Sequence, residues 1–304
     1  MKLLCVLLFA ILSASTGFTI DQEGWKSDKL KGKVETMIKK SYNVTYTSGK
    51  PFNEPFGESV YKYDINGNTT KFSASNSNVS GEKNYTYDGK GRIIKEDFYN
   101  AGKLSTKEVY IYDDSKNEVK HKSTTCGTYG SAYGSDPEVD IYKYDDKGNK
   151  IEHALYDNGS LRYKDIYKYN DKGNMTQSAC YGKDGDLADK SIFKYDNHGK
   201  MVEETKYDSK GDLKGKLIYK YDDKGNTIYA EHEYNNHIYK YDDKSNMVED
   251  AEYNKDGKFT ERHIYRYDGK GNIIESEKYN ERRNESDKIV EEMTGFIKYQ
   301  YTYY

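Results

Sequence analysis

Thirty-four tyrosines stand in this 304-residue chain, and what constrains the fold most is that they recur at fixed intervals. One motif returns from residue 61 onward: aromatic-x-Tyr-Asp, then a turn with Gly. It reads Tyr61-Lys62-Tyr63-Asp64 with Gly67, Tyr142-Lys143-Tyr144-Asp145 with Gly148, and Phe193-Lys194-Tyr195-Asp196 with Gly199. Later copies are Tyr219-Lys220-Tyr221-Asp222 with Gly225 and Tyr265-Arg266-Tyr267-Asp268 with Gly271. The second tyrosines fall at 63, 87, 112, 144, 169, 195, 221, 241 and 267, spaced by 24, 25, 32, 25, 26, 26, 20 and 26. A weaker turn lies midway in most units, as in Tyr156-Asp157-Asn158-Gly159, Tyr207-Asp208-Ser209-Lys210-Gly211 and Tyr253-Asn254-Lys255-Asp256-Gly257.

Each unit therefore reads as strand, tight turn, return strand, tight turn. Asp or Asn, two polar residues and Gly make up the chemistry of a short hairpin loop that needs one left-handed residue. About eight residues between turns suit a strand and are too few for a capped helix. In Tyr-x-Tyr the two rings share one face of a strand, with Lys or Arg on the other. A helix would set the same rings about 200° apart and leave no coherent stripe.

Two units depart from the period. Between Tyr221 and Tyr241, Tyr234-Asn235-Asn236-His237 replaces the longer turn, which predicts a hairpin shortened at an Asn-Asn tip. Between Tyr112 and Tyr144, the stretch from Cys126 to Pro137 reads as a protruding loop. Asn117 and Ser245 stand where other units have the turn glycine. Trp25 and residues 30–38 read as a first capping strand, and the charged Glu281 to Glu292 as a long loop or short helix. The expected fold is all-β: tandem β-hairpins in a long antiparallel meander of about twenty strands, twisted or coiled and solenoid-like. Laid flat it would run about 95 Å.

The Tyr-Asp-x-x-Gly signature resembles the bacterial YD-repeat (RHS-type) family over roughly residues 58–304. Familiar YD repeats usually carry Gly-Arg where this chain has Gly148-Asn149, Gly173-Asn174, Gly225-Asn226 and Gly271-Asn272; only Gly91-Arg92 matches. The resemblance implies β-hairpin architecture and a cell-surface or secreted bacterial setting; the repeats are too few for the toxin-enclosing shell that family members often form.

The first residues predict export. Lys2 precedes the apolar run Leu3 to Leu12, small residues follow from Ser13 to Gly17, and then the polar Asp21-Gln22-Glu23. That is the layout of a secretory signal peptide, too short to span a membrane permanently. The division expected is a signal peptide over 1–20, an N-terminal capping segment over 21–57 and the repeat domain over 58–304. The destination is outside the cytoplasm: extracellular, cell surface or periplasmic. Leu, Ile, Val and Phe together make up only about one residue in six, a level at which disorder is the default. Tyrosine supplies the missing apolar surface. Basic and acidic residues, 48 and 51, are finely interspersed for a net charge of −3, so bulk charge attracts neither nucleic acid nor anionic lipid.

Nothing in the chain reads as catalytic machinery, a cofactor site or a metal site. Six histidines are scattered without metal-ligand spacing; His232 and His237 flank a turn and read as surface histidines. Paired acids such as Asp145-Asp146 and Asp222-Asp223 read as hydrogen-bonded turn carboxylates, because the loops are too short for calcium. After loss of Cys5 with the signal peptide, Cys126 and Cys180 are left either as free thiols or as a pair in an oxidising compartment. The chain is expected to be a non-enzymatic structural or adhesive scaffold for an unidentified protein or glycan. The alternative is a carbohydrate-binding protein that stacks sugars on tyrosine rows, with Tyr219, Tyr221, Tyr265 and Tyr267 as its binding residues.

Overall fold

A computed structural model describes residues 28–47, 50–76, 80–125, 138–283 and 289–304. Twenty strands follow one another: β1 Val34–Thr47, β2 Lys50–Tyr63, β3 Thr69–Asn76, β4 Ser80–Tyr87, β5 Ile93–Asn100, β6 Lys103–Asp113, β7 Glu118–Thr125. Then come β8 Val139–Tyr144, β9 Lys150–Asp157, β10 Ser160–Tyr169, β11 Met175–Gly182, β12 Leu187–Tyr195, β13 Met201–Asp208 and β14 Leu213–Tyr221. The chain ends with β15 Thr227–Glu231, β16 Asn235–Tyr241, β17 Met247–Asn254, β18 Phe259–Tyr267, β19 Ile273–Arg283 and β20 Ile289–Tyr303.

Each strand pairs antiparallel with the next, as the repeat requires. The sheet does not stay open, however. β20 pairs with β19 and also with β1, from Asn43↔Gly295 to Val34↔Tyr303. The expected solenoid-like meander is therefore corrected to a closed 20-stranded antiparallel barrel. Closure is the physical answer to a sheet of this length. An open one would curl or split and expose two unpaired edges, and a barrel has no edge. Twenty strands at about 4.8 Å, tilted by roughly 40°, make a wall about 125 Å around and about 40 Å across. Side chains cannot fill that width, so the barrel holds a water-accessible lumen.

The regular turns are built on one hydrogen-bond pattern. In the β14–β15 turn, Asp222 N–H donates to Asn226 O (2.9 Å) and Gly225 N–H to Asp222 O (2.8 Å). The Asp222 carboxylate accepts from Asn226 N (2.7 Å) and from its side-chain amide (2.9 Å). Gly225 takes φ +82°, where a Cβ is penalised. Ser245 fills the same place at φ 63°, and in the β6–β7 turn the left-handed residue is Asn117 (φ 52°), one position later, with Lys116 N–H donating to Asp113 O. The residue after Gly has a defined task in several turns, where its side chain holds the turn carboxylate, as in Asn68, Asn149 and Asn226. Arg92 performs it as well, donating Nε to Asp88 Oδ2 at 2.8 Å. Gly-Asn and Gly-Arg are thus two chemical solutions to one turn.

Just beyond nearly every such turn one residue is left over in the ladder, as between Lys220↔Tyr229 and Tyr221↔Thr227. These bulge residues are Thr70, Ile94, Ile151, Thr176, Val202, Ile228, Val248 and Ile274, all β-branched. Bulges bend and twist the strand and supply the curvature that closure needs.

Even-numbered strands all end at the same rim, the one that carries the Asp turns. The opposite rim carries the remaining connections. Among them the β15–β16 turn is closed by His232 N–H to Asn235 O, 2.8 Å. Its tip is thus Glu233-Tyr234, and Asn235-Asn236 already belongs to β16, which corrects the expected Asn-Asn tip. β2 runs unbroken through residues 57 and 58 as a barrel strand. Glu281↔Glu291 and Arg282↔Val290 are register partners on β19 and β20, so the described parts of the 281–292 stretch extend a hairpin instead of forming a helix. Trp25 and the loop from Cys126 to Pro137 lie outside the described residues.

The seam is fastened at the Asp-turn rim. Tyr304 N–H donates to Lys33 O (3.0 Å), and its hydroxyl to the carbonyl of Tyr63. Asn272, only 2% exposed, donates its amide to Lys31 O and to the Tyr303 hydroxyl, both at 2.9 Å. Val34, Met37 and Tyr63 are buried here against Leu30, Tyr61, Tyr299, Tyr301 and Tyr303.

Candidate functional site: the lumenal tyrosine and histidine–carboxylate wall

Register decides which face lines the lumen. Followed through hydrogen-bonded partners, Lys62 leads to Lys71, Asn84, Asp97, Lys107 and Thr124, from the Asp-turn rim almost to the other. In a barrel of L residues with the usual right-handed coil, drift in this direction puts the Tyr-x-Tyr rings inside. Burial agrees, because inward side chains converge. Tyr63, Tyr85, Tyr110, Tyr144, Tyr167 and Phe193 are buried on this face, with Glu96, Ser178, Ser191, Glu204 and Ser276.

The second tyrosine of most units closes an open backbone group, while Tyr63 donates instead to the Asp28 carboxylate. Tyr221 donates its hydroxyl to the carbonyl of Met201 at 2.6 Å. Met201 opens β13 at the level where β14 is ending. Tyr87, Tyr112, Tyr169, Tyr195, Tyr241, Tyr267 and Tyr301 donate likewise to Thr69, Ile93, Lys150, Met175, Thr227, Met247 and Ile273. A carbonyl that would otherwise lack a ladder partner is satisfied in each case. Of the four tyrosines predicted as binding residues, Tyr221 and Tyr267 therefore belong to the wall. Tyr219 and Tyr265 are half-buried beside His232 and His263, with ring centroids at 6.4 and 6.2 Å. The four share one face, as expected.

Further from the Asp-turn rim, a chain of polar groups runs around the lumen from β4 to β10. Lys83 Nζ meets Glu96 at 2.6 Å, and Glu96 accepts from the Tyr110 hydroxyl at 2.8 Å. Tyr110 also reaches Glu108 at 3.3 Å. His121 faces Glu108 at 3.7 Å, an ion-pair distance, and Asp140 at 2.9 Å. Asp140 then holds His153 at 2.8 Å, and His153 contacts Asp165 at 3.3 Å. Both imidazoles stack on tyrosines, His121 on Tyr110 and His153 on Tyr142, with centroids 4.6 Å apart.

The electrostatics follow from that alternation. Burial pulls the His121 imidazole down, but the carboxylates of Asp140 and Glu108 outweigh it and raise its pKa to about 9. His153 is raised against burial by Asp140 and Asp165. Burial pushes Asp140 up, yet the two imidazoles bring it down to about 2. His121 is thus protonated and Asp140 ionised at neutral pH. A second group lies on β16–β19: His237 on Asp250 at 2.9 Å, and Glu261 between His263 (2.6 Å) and Lys278 (2.7 Å). Among the described residues no His, Cys, Asp and Glu cluster has the arrangement of a metal site.

His121, Asp140, His153 and Asp165 were not singled out from sequence. Each acid lies two residues before a Tyr-x-Tyr, which put it on the tyrosine face, but its partner is fixed by register alone. Cys180 is buried on β11, and its proposed partner Cys126 lies outside the described residues.

Comparison with known proteins adds little to this. A family model described as "Uncharacterised protein" matches residues 131–229, about a third of the chain. No curated protein sequence matches. Among solved structures, the chain is similar to a porin-like protein from Bacteroides uniformis ATCC 8492 at 10% identity and a TM-score of 0.41, covering 88% of this chain and 98% of that one. It is also similar to TcdB2-TccC3 at 12% identity and a TM-score of 0.31, covering 82% of this chain and 17% of that one. The expected YD-repeat (RHS-type) membership is corrected by the match to a different family and by the closed barrel. In this chain Tyr-Asp-x-x-Gly marks a turn chemistry.

Proposed function

We propose that the chain is an exported barrel that acts as a rigid interaction scaffold. The basic, apolar and small-residue regions of residues 2–17 support export. The observation that carries the scaffold reading is the repeated hydroxyl-to-carbonyl bond typified by Tyr221–Met201. Those rings are committed to the wall and are not free to stack on a ligand. The test is the mature Tyr219→Ser/Tyr221→Ser variant, melted and screened on a glycan array beside the wild type. A lowered melt with no glycan signal in either protein is expected. A glycan bound by the wild type and lost with the melt unchanged would establish the carbohydrate-binding reading instead.

A second reading, a strand-spanning outer-membrane barrel, is favoured by closure itself, since closed barrels are the sheets that cross membranes. No helix among the described residues is long and apolar enough to cross, which leaves strands untouched. The outer face weighs against this reading. It carries Lys194–Glu203 (2.8 Å), Glu203–Lys216 (2.8 Å), Lys240–Glu249 (2.9 Å) and Lys143–Glu152 (2.8 Å). Each lysine at a bilayer midplane would cost about 2–4 kcal/mol. Flotation of the mature protein with liposomes decides: the scaffold reading expects it to remain soluble without detergent, and insertion would replace that reading.

A further inference from the structure

The outer face repeats a pairing of its own, and at one place its charge is inverted. In five of the nine units an outward cation stands three residues before the first aromatic: Lys107, Lys164, Lys190, Lys216 and Arg262; Val139 and Asn236 hold that place in two others. Six of the nine return strands carry an outward tyrosine near the second rim, at 99, 156, 181, 207, 253 and 279. Register sets Lys164 against Tyr181, Lys190 against Tyr207 and Arg262 against Tyr279. The last two are cation–π pairs, with the charge 5.3 Å from the ring centroid in both.

On β2–β5 the pairing is inverted. Glu58 and Glu82 occupy the cation positions, and Ser75 replaces the tyrosine of β3. The register rows become Val60–Ser73–Glu82–Tyr99 and Glu58–Ser75–Ser80. Losing one ring over a floor of serines leaves a cavity of about 500 Å³, walled by Glu58 and Val60 on one side and by Tyr99, Ala101 and Gly102 on the other. Lys40 (3.7 Å from Glu58) and Lys71 (2.6 Å from Glu82) contact the two carboxylates but do not line the cavity.

We propose that this cavity binds a small ligand carrying an ammonium group. Glu58 and Glu82 are its counter-ions, the hydroxyls of Ser73, Ser75 and Ser80 accept its hydrogen bonds, and Tyr99 is the aromatic wall. The chemistry is that of the surrounding repeat with the ligand supplying the cation. At Tyr207 and Tyr279 the protein's own Lys190 and Arg262 lie by the ring; here the cation position holds an acid, and a space opens where a ring is missing. A carboxylate pair with an aromatic wall selects an amine over a neutral polyol of the same size. This inference does not depend on the scaffold reading of the lumen.

The test is isothermal titration calorimetry of the full mature protein with cadaverine and with glucosamine, using N-acetylglucosamine as the neutral control. Both amines are expected to bind, more weakly as salt is raised, and the control is expected not to bind. Ser75→Tyr and Glu82→Lys restore residues that other units carry at those places, so an unchanged melt checks their folding. Each should weaken amine binding about tenfold or more, by filling the cavity or by reversing the charge. Three outcomes overturn the proposal: no heat from either amine at millimolar concentration, equal binding by N-acetylglucosamine, or variants that bind as the wild type does.

Discussion

Tyr221 on β14 holds the carbonyl of Met201 on β13 at 2.6 Å, twenty residues back along the chain. The bond joins one repeat to the one before it, and its recurrence makes the wall continuous at the Asp-turn rim. Tyr221→Phe keeps the ring and removes only the donor. It should cost about 1–2 kcal/mol, because a carbonyl at the strand end loses its partner. Tyr234→Phe, at a tip where the ring is 77% exposed, should cost nothing measurable. Urea denaturation of both variants checks this, and equal midpoints would mean that the hydroxyl does not support the wall.

Gly225 makes a sharper demand on its turn. At φ +82° a β-branched residue is strained, and a Cβ there would lie 2.5 Å from Lys200 Cε. Lys200 also donates to the Gly225 carbonyl at 2.8 Å, so the two turns are coupled. Gly225→Val should cost about 2 kcal/mol or more. Lys224→Val, one residue earlier at negative φ, should be nearly neutral. Matching thermal melts would refute the turn assignment.

Arg92 tests whether the residue after the turn glycine works through its side-chain donor. Arg92→Asn restores the amide of the other units and should stay within about 0.5 kcal/mol of wild type. Arg92→Ala strips Asp88 of that donor and also breaks the contact with Asp114 at 2.7 Å. It should be the less stable of the two by about 1 kcal/mol. A ranking by chemical denaturation that places Arg92→Asn at or below Arg92→Ala contradicts the turn chemistry.

The His121–Asp140 contact predicts a pH window. His121 is raised on folding, so its contribution is complete below its unfolded value of about 6.5 and is lost as pH rises through about 9. Asp140 is depressed on folding, so its contribution is present above about 4 and is lost as pH falls through about 2. The pair stabilises most between those limits. In urea melts the gap between wild type and His121→Gln should be wider at pH 6 than at pH 9.5. A gap that does not change with pH would show that the imidazole is held as a neutral group.

The strands, the turn chemistry and the sharing of one face by Tyr219 with Tyr221 were all legible in the sequence. These are consequences of local rules: Gly where φ must be positive, Asp where backbone N–H groups need an acceptor, and alternation along a strand. The left-handed residues at Asn117 and Ser245 could be read in the same way. Closure could not. Whether β20 meets β1 depends on curvature summed over twenty strands and on one leftover residue such as Ile228 in nearly every return strand, and no single unit encodes that sum. The histidine–carboxylate chain lay beyond local reading for a related reason. Asp140 comes between His121 and His153 only because bulges and stagger set three strands in that register, and the cavity beside Tyr99 exists only because Ser75 lies across from Glu58. Local chemistry determined what each hairpin is; the accumulated geometry of the ring decided which side chains meet.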